Sequence, residues 1–136
     1  MNKIILSSLL LLSVLDAHDI SVTITDIKNH TGKLYVGLYN KEAGFREVDK
    51  TYKKLIVDIS SNNVTYIFTD VPSDTYAVSV FHDENNNGIH DKNILGIPTE
   101  DYGFSNNNRH LFGPASFEES SIKINKDTKI TITLGE

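Results

Sequence analysis

Beyond residue 17, apolar residues in this chain recur at every second position, and in no stretch there do they hold helical spacing for three turns. Ile20, Val22 and Ile24 alternate with Ser21, Thr23 and Thr25, and Leu34, Val36 and Leu38 alternate with Tyr35, Gly37 and Tyr39. The same rhythm runs through Leu55, Val57 and Ile59, then Val64, Tyr66 and Phe68, then Tyr76, Val78 and Val80. Ile122 and Ile124, and finally Ile130, Ile132 and Leu134, complete the series. Side chains on a strand alternate between faces, so each run turns one apolar face to a core and one polar face to water. Turn-forming residues separate the runs at Thr31-Gly32, Asn62-Asn63, Pro72-Ser73-Asp74 and Asn125–Asp127. The pattern predicts an all-β fold, a seven-stranded antiparallel β-sandwich of two sheets, with strand order unspecified. A short helix is expected within 41–50, where Phe45 and Val48 can cap one end of the sandwich.

One segment breaks the rhythm. From Asp83 to about Ser120 the chain is rich in Asn and Gly and shows little strand pattern. Loops longer than about 15 residues in a compact domain are usually functional or disordered. This one carries Tyr102, Phe104, Phe112 and Phe117 with Pro98 and Pro114, residues able to pack a loop onto its own domain. One long ordered loop is therefore expected.

Its opening, HDENNNGIHD (82–91), has a cation-binding spacing. Counted from Asp83, Asn85 stands third, Asn87 fifth, Gly88 sixth, Ile89 seventh and Asp91 ninth, the D-x-N-x-N-G-x-x-D core of an EF-hand-like calcium loop. Alternate positions present side-chain oxygens to one centre, the glycine allows the sharp turn, and the Ile89 carbonyl adds an oxygen. Ile94 occupies the twelfth position, where a bidentate glutamate would complete the shell. The missing oxygens then fall to Glu100 or Asp101. The expected site is weak and structural, a Ca²⁺ pin for a long loop. The competing reading is a purely polar turn, since Asn and Gly satisfy their own backbone through Asx-turns.

The first seventeen residues read as a secretory signal peptide: Lys3 in the n-region, an apolar run from Ile4 to Leu15, and Ala17 before the cut. That run is shorter than the roughly 20 residues of a membrane span. Its removal leaves a single β-sandwich domain over 18–136, with no membrane span in the mature chain and a periplasmic or secreted location. A net charge of −5 argues against nucleic acid, and the absence of cysteine excludes disulfides and thiol chemistry. No nucleophile elbow or phosphate-cradling glycine loop is present, and no catalytic residue is assigned. Tyr102, Phe104 and Arg109 are candidates for a surface that binds a protein or glycan.

A rival reading uses histidine. Cleavage after Ala17 would make His18 the N-terminal residue, the start of a copper brace if His82, His90 or His110 met it. The protein would then be a periplasmic copper protein or enzyme. Zinc between His82 and His90 would compete with the calcium loop.

The stretches HDENNNGIHDKNILGIPTEDYGFSNN and FGPASFEES, with DISVTITDI, GKLYVGLYN, Gly44-Phe45 and FTDVPSDTYAVSVFHD, resemble the bacterial DUF2141 family, exported proteins of unknown function. The resemblance spans nearly the whole mature chain. It implies a small sandwich of the immunoglobulin or prealbumin type and brings no activity with it. Asp74 departs from the family pattern, which tends to glycine there. The polar loop separately is similar to calcium loops of cell-surface B-type repeats. The expectation from sequence is thus an exported, non-enzymatic binding or structural module with a weak calcium loop.

Overall fold

The computed structural model describes residues 16–135. The signal-peptide reading of residues 1–17 therefore lies outside the described residues, apart from Asp16 and Ala17. Among the described residues eight strands form two sheets. In chain order they are β1 (Ala17–Thr25), β2 (Lys33–Tyr39), β3 (Lys53–Asp58), β4 (Val64–Pro72), β5 (Asp74–Asp83), β6 (Tyr102–Phe104), β7 (Ser121–Ile124) and β8 (Thr128–Thr133). The first sheet has the order β4-β1-β8, and the second runs β3-β2-β5-β6 with β7 also on β5.

The alternating residues meet as predicted from their period. Ile20, Val22 and Ile24 of β1 are completely buried, as are Leu34, Val36 and Leu38 of β2 and Val78 and Val80 of β5. They share one hydrophobic core with Phe68 and Val71 of β4, Ile124 of β7 and Ile132 of β8. Burying each such side chain contributes about 1.5–3 kcal/mol, which is what fixes the register of the strands.

The structure corrects the seven-stranded antiparallel reading in two respects. β1 and β8 run parallel, with Ile20 opposite Thr128 and Thr25 opposite Thr133. Periodicity reports which face a residue takes and carries no information on strand direction. The eighth strand, β6, lies inside the segment read as loop; three residues, Tyr-Gly-Phe, are too few to show a period. That segment also holds a 3₁₀ turn at Ser105–Asn107 and the short helix α1 (Phe117–Ser120). α1 begins in a capping box, Ser116 accepting from the Glu119 N–H while the Glu119 carboxylate accepts from the Ser116 N–H. The helix expected in 41–50 is a single 3₁₀ turn, Val48–Lys50. Phe45 beside it packs against the rings of Tyr39, Phe104 and Phe117.

β5 organises the second sheet. One edge pairs with β2 along Ala77–Asp83, while the other is divided between β7 at Asp74–Ala77 and β6 at Ser79–Phe81. Val78 sits at the gap between those two partners. The buried Ser105 hydroxyl fills it, accepting from the Val78 N–H at 2.9 Å and donating to the Ser120 carbonyl.

Candidate binding site: a polar loop and the cleft beside it

Asp83, the last residue of β5, is 1% exposed and anchors the polar loop. Its carboxylate accepts from the backbone N–H groups of Asn87 at 3.2 Å and Gly88 at 2.8 Å. Asn86 and Gly88 adopt positive φ, 58° and 75°, and so curl the chain around that carboxylate. The Asn85 side-chain oxygen accepts from the Asn87 N–H, and that of Asn87 from the Ile89 N–H. These are the Asx-turns that make asparagine a turn residue. The two amide nitrogens point together at Asp91, Asn85 at 2.8 Å and Asn87 at 2.8 and 3.0 Å. Those hydrogen bonds, from Asn87 first and then Asn85, hold the Asp91 carboxyl below the usual carboxylate range.

Glu100 closes the loop at its base. Buried to 5% exposure, it accepts from the Glu84 N–H at 2.7 Å and the Asp91 N–H at 2.8 Å. Beneath it, Gly32 of the β1–β2 turn lies so close that a Cβ there would stand 1.8 Å from the Asp83 carbonyl oxygen. The structure thus brings Asp83, Asn85, Asn87, Asp91 and Glu100 into one hydrogen-bonded loop, with Ile89 in its last turn. Asp101 departs to the other side, 3.4 Å from Lys28. Among the described residues no three His, Cys, Asp or Glu side chains come together as metal ligands. A cation here would rely on amide and backbone oxygens as well as carboxylates.

The histidines are dispersed. His18 hydrogen-bonds Ser73 at 2.8 Å and lies 3.0 Å from Asp16, at the start of β5. His82 is buried near the other end of that strand, roughly 25 Å away at 3.3 Å per residue, and donates to the Thr31 carbonyl. The structure does not bring these two together. His90 hydrogen-bonds the Glu100 carbonyl and stacks on Phe81, and His110 pairs with Glu119 at 2.8 Å.

Beyond the polar loop the chain makes a tight tip, where Asn93 accepts from the N–H groups of Leu95 and Ile97 and Gly96 has φ of 77°. A second tip rises at 110–114, with Gly113 at φ 86°. Between the two tips lies a cleft of about 760 Å³. Its floor is the outer face of the second sheet, carrying Phe81, Tyr102 and Phe104, with His90 laid on Phe81 at 5.1 Å between ring centres. Tyr102 and Phe104 therefore line the cleft. Arg109 does not, because its guanidinium is tied to the carbonyls of Tyr102 and Thr133 and rests over the Tyr102 ring.

A family model described as an uncharacterized protein conserved in bacteria matches residues 22–132. The chain belongs to the DUF2141 family. No curated protein and no solved structure matches it. The matched span of this DUF2141 chain takes in both sheets, the polar loop and both walls of the cleft. Sequence reasoning missed the walls themselves. The signal was available: Leu95-Gly96-Ile97-Pro98 and Leu111-Phe112-Gly113-Pro114 each set apolar residues beside a turn glycine and a proline.

Proposed function

We propose that this DUF2141 chain is an exported, non-enzymatic binding module whose polar loop takes Ca²⁺ weakly. On this reading the two sheets with their shared core make a β-sandwich of the immunoglobulin or prealbumin type. The ion holds the 82–118 excursion, and the excursion presents the binding surface. The observation that carries the reading is the convergence of Asn85 and Asn87 on the Asp91 carboxylate, in a loop whose Asn87 and Gly88 N–H groups hold the Asp83 carboxylate. The side-chain oxygens of Asn85 and Asn87 each accept one backbone N–H, from Asn87 and Ile89, and each keeps a second lone pair for a cation. Asp83 keeps lone pairs beyond the two N–H groups it accepts from. The set is all oxygen, the chemistry that hard Ca²⁺ prefers, and two carboxylates with no twelfth-position glutamate suit a Kd of about 10⁻⁴–10⁻³ M.

Titration calorimetry with Ca²⁺, and thermal melts with and without chelator, test this. At ten times Kd, binding adds about 1.4 kcal/mol, a rise in Tm of roughly 4 °C or more. Asp83→Ala should abolish the rise. Asn85→Ala, at an exposed position, should weaken it in a protein that still folds. An unchanged Tm at several millimolar Ca²⁺ overturns the calcium reading.

A further inference from the structure

Nine large apolar residues are exposed among those described, and five of them, Ile89, Leu95, Ile97, Leu111 and Phe112, line the one cleft of about 760 Å³. Leu111 and Phe112 are 90% and 88% exposed. Contiguous exposed apolar surface on a small protein marks a place of binding, and this volume lies in the range of small-molecule sites, about 300–1,000 Å³. The charge around it is one-sided. The chain has 18 acidic residues against 13 basic ones, yet no Asp or Glu lines the cleft. Arg46, Lys92 and His110 do. His110 is already paired with Glu119, whereas Arg46 and Lys92 are exposed and make no ion pair among the described residues.

We propose that the cleft binds a free single-chain amphiphile with an anionic head, a long-chain carboxylate being the simplest case. The chain lies between the two glycine-turned tips, over Phe81 and Tyr102, and the head meets Arg46 or Lys92. An apolar floor with a few placed polar groups is how small-ligand sites combine affinity with orientation. This rests on the excursion being the binding surface and not on the calcium loop.

Displacement of anilinonaphthalene sulfonate by decanoate, dodecanoate and tetradecanoate tests it, with dodecyltrimethylammonium as the cation of matched chain. One-to-one displacement is expected, tightening about tenfold for each two carbons added. The cationic amphiphile should bind at least tenfold more weakly, and Arg46→Glu with Lys92→Glu should reverse that order. Leu111→Ser and Phe112→Ser, at exposed positions, should weaken every chain length while leaving the circular dichroism unchanged. Equal affinity for both head charges overturns the proposal, as does binding that none of these variants alters. Co-sedimentation with anionic vesicles in preference to binding free carboxylate also overturns it. So does a concentration-dependent dimer that excludes the dye. Each titration is run in chelator and in millimolar Ca²⁺. Failure of the calcium loop appears as identical melts in the two buffers, and failure of the cleft appears as a flat charge series in both.

Discussion

Asp91 shows how one side chain can be settled by its neighbours. Its carboxylate receives three amide N–H contacts from Asn85 and Asn87 and is held below its ordinary pKa by them. A carboxyl whose folded pKa is depressed contributes stability that is fully present above the unfolded value, about 3.9, and is lost as pH falls through the folded value. Asp91→Asn should therefore flatten the acid limb of the stability curve below about pH 4, measured by urea unfolding between about pH 2 and 6 in chelator. An acid limb as steep as in the wild type would show that the Asn85–Asn87–Asp91 cluster does not persist in solution. At this scale the sequence was informative. The i, i+2, i+4 spacing from Asp83 named residues that do meet, because a chain turning tightly brings alternate side chains to one centre. Arg109, read as a candidate surface contact, is exposed and also ties β6 to β8. A guanidinium has five donors, and nothing in its sequence neighbours says which carbonyls will lie within reach.

At the scale of elements, the edge that β5 divides between β6 and β7 is the part sequence reasoning could not supply. Both partners are short, and neither reaches Val78. Ser105 stands in for the missing strand, with its hydroxyl accepting from one backbone group and donating to another. A buried polar backbone group left without a partner costs about 1–3 kcal/mol. Ser105→Ala strands the Val78 N–H and the Ser120 carbonyl together, so a loss of about 2–4 kcal/mol is expected in urea unfolding, with Val78 exchanging its amide hydrogen faster than Val80. A change under 0.5 kcal/mol would mean that water or backbone adjustment fills the gap. The longer strands were legible because their period repeats at least twice. β6 was not, since its identity comes from the free edge of β5 and not from its own three residues. The two cleft walls escaped for a related reason: their apolar residues face outward, and a reading built on core periodicity assigns no place to an exposed leucine.

Across the whole molecule, one core is shared by both sheets, and Ile132 of β8 is fully buried in it. Ile132→Ala should cost about 2–5 kcal/mol, and the two sheets should be lost together. Far-ultraviolet circular dichroism and tyrosine fluorescence would then report a single coincident transition in wild type and variant. Two separate transitions would mean that the sheets are independent. The all-β class and the core residues could be written down from the sequence, because burial follows the period of two. The pairing of β1 with β8 could not, because it joins residues as distant as Thr25 and Thr133, 108 positions apart. That pairing has a consequence in time. Among the described strands β1 is synthesised before its second neighbour, β8, by about a hundred residues, so Ile20, Val22 and Ile24 wait with one edge open until β8 exists. Contacts between such distant parts of a chain form slowly. A chain synthesised only as far as β7 therefore lacks the strand that closes the first sheet, and that sheet is completed only once residue 133 has been added.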